Sequence, residues 1–112
     1  LWALLHDATE AYLTDVPRPV KPFLPGYKAA EDALEAVVAK RFGLPLPMPN
    51  EVKEADRRIL TDEAAQNMAR PPVPWSTIAE PLGVRLQFWS PPKAKAQFFS
   101  RFADLTGGPY GR

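Results

Sequence analysis

The run Leu4-Leu5-His6-Asp7-Ala8-Thr9-Glu10-Ala11 sets the only histidine of the chain beside an acid, inside an apolar segment. On a helix, residues three and four apart share a face, so Glu10 falls one turn from both His6 and Asp7. An imidazole and a carboxylate suit a borderline or hard divalent ion, and such an ion turns bound water into a nucleophile near neutral pH. The same histidine also fits a plainer role, a hydrogen-bonded residue at the edge of a core. Asp56 is the second anomaly. It falls one turn after Val52 and just before Ile59-Leu60, on or beside an apolar helix stripe where an unpaired carboxylate is costly. A metal would explain it, and so would a salt bridge to the adjacent Arg57 or Arg58.

The elements that must position these residues are readable from periodicity. Leu1, Leu4, Leu5, Ala8 and Tyr12 form a stripe at three- and four-residue spacing, which predicts a core helix from the start to about Leu13. Four prolines between Asp15 and Gly26 then break the helix and stiffen a loop, with room for a short helical turn around Val20 to Leu24. Tyr27 to Phe42 is rich in Ala, Glu, Lys and Leu and is followed by Gly43, which predicts a helix with Ala30, Leu34, Val37, Val38 and Arg41-Phe42 along one side.

Leu44 to Pro49 reads as a rigid connector and Asn50 as the N-cap of a helix from Glu51 to about Ala69, with Val52, Ala55, Ile59, Leu60 and Met68 facing the core. Pro71-Pro72-Val73-Pro74 ends it, and Val84 to Trp89, lacking a partner strand, reads as irregular. Ser90 caps a last helix whose first turn holds Pro91, whose apolar face is Ala94, Phe98, Phe99, Phe102 and Leu105, and which Gly107-Gly108 stops.

Composition narrows the function classes. At 112 residues, 46% hydrophobic and 24% charged, the chain is one globular domain and too apolar for disorder. A net charge of +1 with interspersed signs gives no basic stripe, so neither a nucleic-acid polymer nor an anionic membrane is an expected partner. The apolar opening is interrupted by His6, Asp7 and Glu10 well short of the roughly 20 residues of a spanning helix. The absence of cysteine removes thiolate chemistry and disulfides, and sets a cytoplasmic location as the expectation. No glycine-rich phosphate loop occurs, so any use of nucleotides points to hydrolysis at a metal.

Taken in order, His6-Asp7-x-x-Glu10, Asp15-Val16-Pro17-x-Pro19-x-Lys21 and Val52-Lys53-x-Ala55-Asp56 resemble the HD-domain phosphohydrolases, in particular the branch of bacterial 5′-deoxynucleotidases and related phage and bacterial hydrolases. The resemblance runs from Leu1 to about Met68, with a weaker echo in Trp89-Ser90-Pro91 and the Phe-rich last helix. It implies an all-α, HD-domain-like helical bundle in which His6 and Asp7 are the metal-binding doublet and Asp56 closes the site from another helix. By the same resemblance Glu10 positions water or passes a proton, and Asp15 contacts the substrate sugar or orients the site. Lys21 and Lys53 also match motif positions, although Lys21 reads as a solvated surface lysine and Lys53 as a partner for a neighbouring acid. The implied cofactor is a divalent ion (Mn, Co, Zn, Mg or Fe). The implied substrate is a small phosphate ester, a nucleoside or deoxynucleoside 5′-monophosphate.

HD domains generally carry a further metal-binding histidine on an upstream helix, whereas this chain opens at Leu1 in mid-pattern and has no second histidine. The expectation is therefore a single, partial HD-like domain over residues 1–112 that lacks its N-terminal helix or helices. Its uncovered Leu1, Leu4 and Leu5 stripe would favour self-association as a homo-oligomer. A different class of function stays open beside the hydrolase: a helical interaction module, catalytically impaired, presenting aromatic residues such as Trp75, Phe88, Trp89, Phe98, Phe99 and Phe102.

Overall fold

Helix-forming residues run without a break from Tyr27 to Phe42, and the helix takes those bounds. Lys40 and Arg41 complement the carbonyl end of its dipole. Gly43 ends it in the left-handed region at φ 65°, where a side chain would be strained. The N–H of Leu44 then reaches back to the Ala39 carbonyl at 2.8 Å, closing a Schellman-type cap. In the computed structural model, which describes residues 1–75 and 79–108, this helix is α2. It is preceded by α1 (Trp2–Leu5) and followed by α3 (Asn50–Asn67) and α4 (Pro91–Thr106), with 3-10 turns at Ala8–Ala11 and Lys21–Phe23. Among the described residues there is no strand, and the fold is all-α. No helix among them is long and apolar enough to cross a membrane.

The first helix is shorter than its stripe predicts. It stops at Leu5, Asp7 lies outside helical geometry at φ −99° and ψ 13°, and the chain continues as the 3-10 turn. The physical reason is local competition. A continuing helix would give the Ala3 carbonyl to the N–H of Asp7, but the His6 ring takes that carbonyl instead, Nδ1 to O at 2.7 Å. Beyond the break the stripe loses its register, and Tyr12, expected in the core, is 80% exposed.

Trp2 and Leu5 are buried, and the Trp2 indole N–H donates to the Pro45 carbonyl at 2.7 Å, tying α1 to the connector after α2. The Tyr27 hydroxyl donates to the Thr14 carbonyl at 2.5 Å, which fixes the proline-rich loop to the first turn of α2. Its expected helical turn is the 3-10 segment Lys21–Phe23.

Helix α3 departs from expectation at both ends. Asn50 is its first residue and makes no side-chain cap, and the Pro49 carbonyl closes the opening turn by accepting from Val52 and Lys53. Asn67 is the last residue, since Met68 is extended at ψ 148°. The Ser90 cap of α4 forms as expected, its Oγ accepting from the Lys93 N–H at 3.4 Å.

The core is thin. Its buried apolar members among the described residues are Trp2, Leu5, Val38, Ala39, Ala79 and Phe102, with Phe42 meeting Phe102 edge-on at 5.7 Å between ring centres. Val37, Leu60, Met68, Phe98, Phe99 and Leu105, all assigned to core-facing stripes by periodicity, are exposed instead. Each helix is covered along only part of its apolar face. The radius of gyration, 15.8 Å, reflects this, against about 13 Å for a close-packed domain of this length.

Polar contacts do much of the remaining work. The segment after Ala79 is irregular, as expected, and takes its backbone partners from α3 side chains. Asp62, only 5% exposed, accepts from the N–H groups of Leu82 (2.7 Å) and Gly83 (3.0 Å). Gly83 then takes a left-handed φ of 80°, which redirects the chain just after these two bonds. Thr61 donates to the Ala79 carbonyl, Arg58 to those of Glu80 and Pro81, and Gln66 pairs with both Val84 and Leu86.

Candidate metal centre

His6 is the hub of the site. It sits at the C-terminal cap of α1, where its Nδ1 bonds the Ala3 carbonyl and its Nε2 points away from the helix. Nε2 stands 3.2 Å from Asp7 Oδ2 and 3.2 Å from Asp56 Oδ1. Asp7 comes from the break after α1 and Asp56 from the N-terminal half of α3, so the helical break aims one carboxylate and α3 supplies the other.

The salt-bridge alternative for Asp56 can be compared directly with this geometry. Arg57 forms a fork with Glu54 at 2.9–3.2 Å, and that bond holds the Glu54 carboxyl below the usual carboxylate range. Arg58 is spent on the carbonyls of Glu80 and Pro81. Among the described residues the ion-pair partner of Asp56 is His6.

Three forces act on the His6 ring. Its partial burial alone would depress the pKa, but the bond to the Ala3 carbonyl and the charges of Asp7 and Asp56 outweigh this and raise it above 6.5. When protonated, Nε2 faces both carboxylates at 3.2 Å. The bond from Nδ1–H to a backbone carbonyl is also the arrangement that leaves Nε2 as the donor atom toward a metal once that proton leaves.

The donor set fits a divalent ion in chemistry. One imidazole nitrogen and two carboxylate oxygens suit a borderline cation, and donors at about 2.1 Å from an ion stand about 3.0–3.4 Å from one another, the range of the observed 3.2 Å contacts. Among the described residues no group of three or more His, Cys, Asp or Glu side chains is placed to hold a metal ion, so the fit is one of donor types and of the two contacts to His6. What stands there is a histidine edge bracketed by two carboxylates. The Asp7 and Asp56 side chains are 64% and 57% exposed, so each can turn about the ring without disturbing packing.

Glu10 and Asp15 flank the hub. Glu10 lies on the 3-10 turn, its N–H donating to the Asp7 carbonyl at 2.9 Å, so it remains one turn from the doublet although the helix has ended. Its carboxyl is raised above the usual carboxylate value by partial desolvation and by the charges of Asp7 and Asp15, which outweigh His6 and Lys21. Asp15 thus acts on Glu10 through its field. Lys21, read from sequence as solvated, is half-buried and pairs with Glu31 at 3.4 Å, its Nζ 5.7 Å from the centre of the Tyr27 ring.

Sequence reasoning missed the Ala3 carbonyl and the arginine-lined cleft beside Asp56. The cleft, about 670 Å³, is walled by the C-terminal half of α3, Arg18 of the proline loop and the turn from Arg70 to Trp75. Periodicity gave no signal for it, since it set Leu60 and Met68 toward the core, where the structure exposes both.

Over 61 residues the chain is 49% identical to "Uncharacterized protein YfdR" of Escherichia coli strain K12, a match covering 54% of this chain and 34% of that protein. Over 56 residues it is 48% identical to "Uncharacterized protein RCAP_rcc00048" of Rhodobacter capsulatus, covering 49% of this chain and 29% of that protein. The matched part of the chain thus spans about a third of the length of these curated relatives. No protein-family model and no solved structure matches the chain.

Proposed function

We propose that this chain carries the metal-binding part of an HD-type phosphohydrolase that removes phosphate from nucleoside 5′-monophosphates, deoxynucleotides in particular. The observation that carries the reading is the bracketing of His6 Nε2 by Asp7 and Asp56, each at 3.2 Å, with Nδ1 committed to the Ala3 carbonyl. His6, Asp7 and Asp56 would hold the ion. When bound, a divalent ion supplies charge to a phosphate oxygen and acidifies water.

The chain's own groups do the rest. Ala3 fixes the imidazole plane and its tautomer, and the two aspartates supply the negative charge that favours a cation over a second phosphate. Glu10, with a carboxyl raised toward the protonated form, is suited to hold the proton that the leaving oxygen takes up. Desolvation and the charges of Asp7 and Asp15 raise that carboxyl, and Asp15 would face the sugar of the substrate. The deoxynucleotide preference rests on the resemblance of the three motifs.

The test is direct: metal content of the purified protein, and release of inorganic phosphate from deoxynucleoside and nucleoside 5′-monophosphates with Mn²⁺, Co²⁺ or Zn²⁺ supplied. Metal-dependent release supports the reading, and its absence in a protein that holds no ion overturns it. The exposed aromatic face of α4, with the Phe98 and Phe99 rings T-shaped at 6.1 Å between centres, favours the second reading, a helical interaction module that has lost turnover. Such a module need hold no metal.

A further inference from the structure

The cleft of about 670 Å³ shares Asp56 with the candidate metal centre and runs from it along the outer face of α3. Its volume falls within the range of small-molecule sites. Leu60 of α3 and Met68 just beyond its end floor it, and Trp75 stands at the turn that closes it. Arg18 and Arg70 line it, and among the described residues neither guanidinium has a side-chain hydrogen bond or a salt bridge, unlike Arg57 and Arg58 nearby.

An indole and a thioether offer flat, polarizable surface to a ring. Uncommitted guanidinium forks offer paired donors to carbonyl and ring-nitrogen acceptors, and they stack on ring faces. A purely aliphatic ligand would leave both arginines without acceptors. A second bare phosphate would leave the apolar wall unused. We infer that this cleft seats the nucleobase of the substrate, with Trp75 as its stacking face and Arg18 and Arg70 as its polar contacts, so that the 5′-phosphate is presented at the Asp56 end. This rests on the phosphohydrolase reading for the phosphate but not for the base, because the cleft has its own walls.

The experiment uses phosphate-free nucleoside, so that base binding is read apart from metal and turnover. Thymidine and deoxyadenosine are titrated into the chain in EDTA while the indole N–H resonances of Trp2, Trp75 and Trp89 are followed. The expected result is a saturable shift confined to Trp75. In dialysis, Trp75→Ala should weaken nucleoside binding about tenfold, Trp75→Phe should retain it within about threefold, and Arg70→Gln should weaken it severalfold. Ribose 5-phosphate should leave the Trp75 resonance in place.

Phosphate release from nucleotides with no Trp75 shift on adding nucleoside would discard the cleft and keep the hydrolase. A Trp75 shift in a protein that neither binds metal nor releases phosphate would keep the cleft and discard the hydrolase. Should Trp75→Ala unfold, the resonance measurement on the unaltered chain decides alone.

Discussion

His6 Nε2 and Asp56 Oδ1 meet at 3.2 Å, joining the end of the first helix to the third. The pKa of the ring, raised by the Ala3 carbonyl and the two carboxylates against its partial burial, ties stability to pH. The bracket contributes fully below the ordinary value of 6.5, and its contribution fades as pH rises through the higher folded-state value. In EDTA, the urea midpoint should therefore fall between pH 6 and pH 8, and His6→Gln should remove most of that slope. An unchanged slope in the variant would place the pH dependence elsewhere.

Metal affinity should run in the opposite direction. A proton and a cation compete for Nε2, so Mn²⁺ or Zn²⁺ affinity rises with pH over the same window. With three protein donors from this chain, binding to the 112 residues alone should be weak, at micromolar Kd or above by calorimetry. Nanomolar binding would show that three donors suffice.

Asp7→Asn and Asp56→Asn should each reduce metal binding at least tenfold, since an amide carries no charge to hold the ion. Glu10→Gln should keep the metal and lose about a hundredfold or more in kcat, as expected of a group that handles a proton. Equal loss of metal in all three variants would make Glu10 a ligand or a structural residue.

Asp62→Ala should cost about 2–3 kcal/mol, because it strips two backbone N–H groups of a buried charged acceptor. Chemical denaturation measures the cost, and faster amide exchange at Leu82 and Gly83 locates it. Stability within about 0.5 kcal/mol of the unaltered chain would mean that this segment is held by its other contacts.

Sequence was a good guide to α2 and to the start of α4, but not to the Asn50 cap, which does not form. The bounds of α2 follow from helix-forming residues and Gly43, and the start of α4 from Ser90 and its prolines, since caps and propensities act within a few residues. The break at His6 was illegible because a stripe reports which residues could face a core and not whether a ring will capture the Ala3 carbonyl. Asp62 and Gln66 were legible in principle. They continue the Val52, Ala55, Ile59 spacing, and a polar residue on such a stripe asks for a partner that only the folded chain supplies. The bringing together of His6 and Asp56 depends on tertiary packing, and the order of three motifs was the only hint of it.

The thin core gives the molecule a property that no single contact does. With few side chains fully withdrawn from water among the described residues, burial contributes little to holding the folded chain, and any occupant of the His6 site or the Trp75 cleft would add to its stability by mass action. An increment that would pass unnoticed in a well-packed enzyme counts for more here. Abundance in a cell that degrades unfolded chains would then follow ligand supply, so that the protein's lifetime is itself a record of what it has bound.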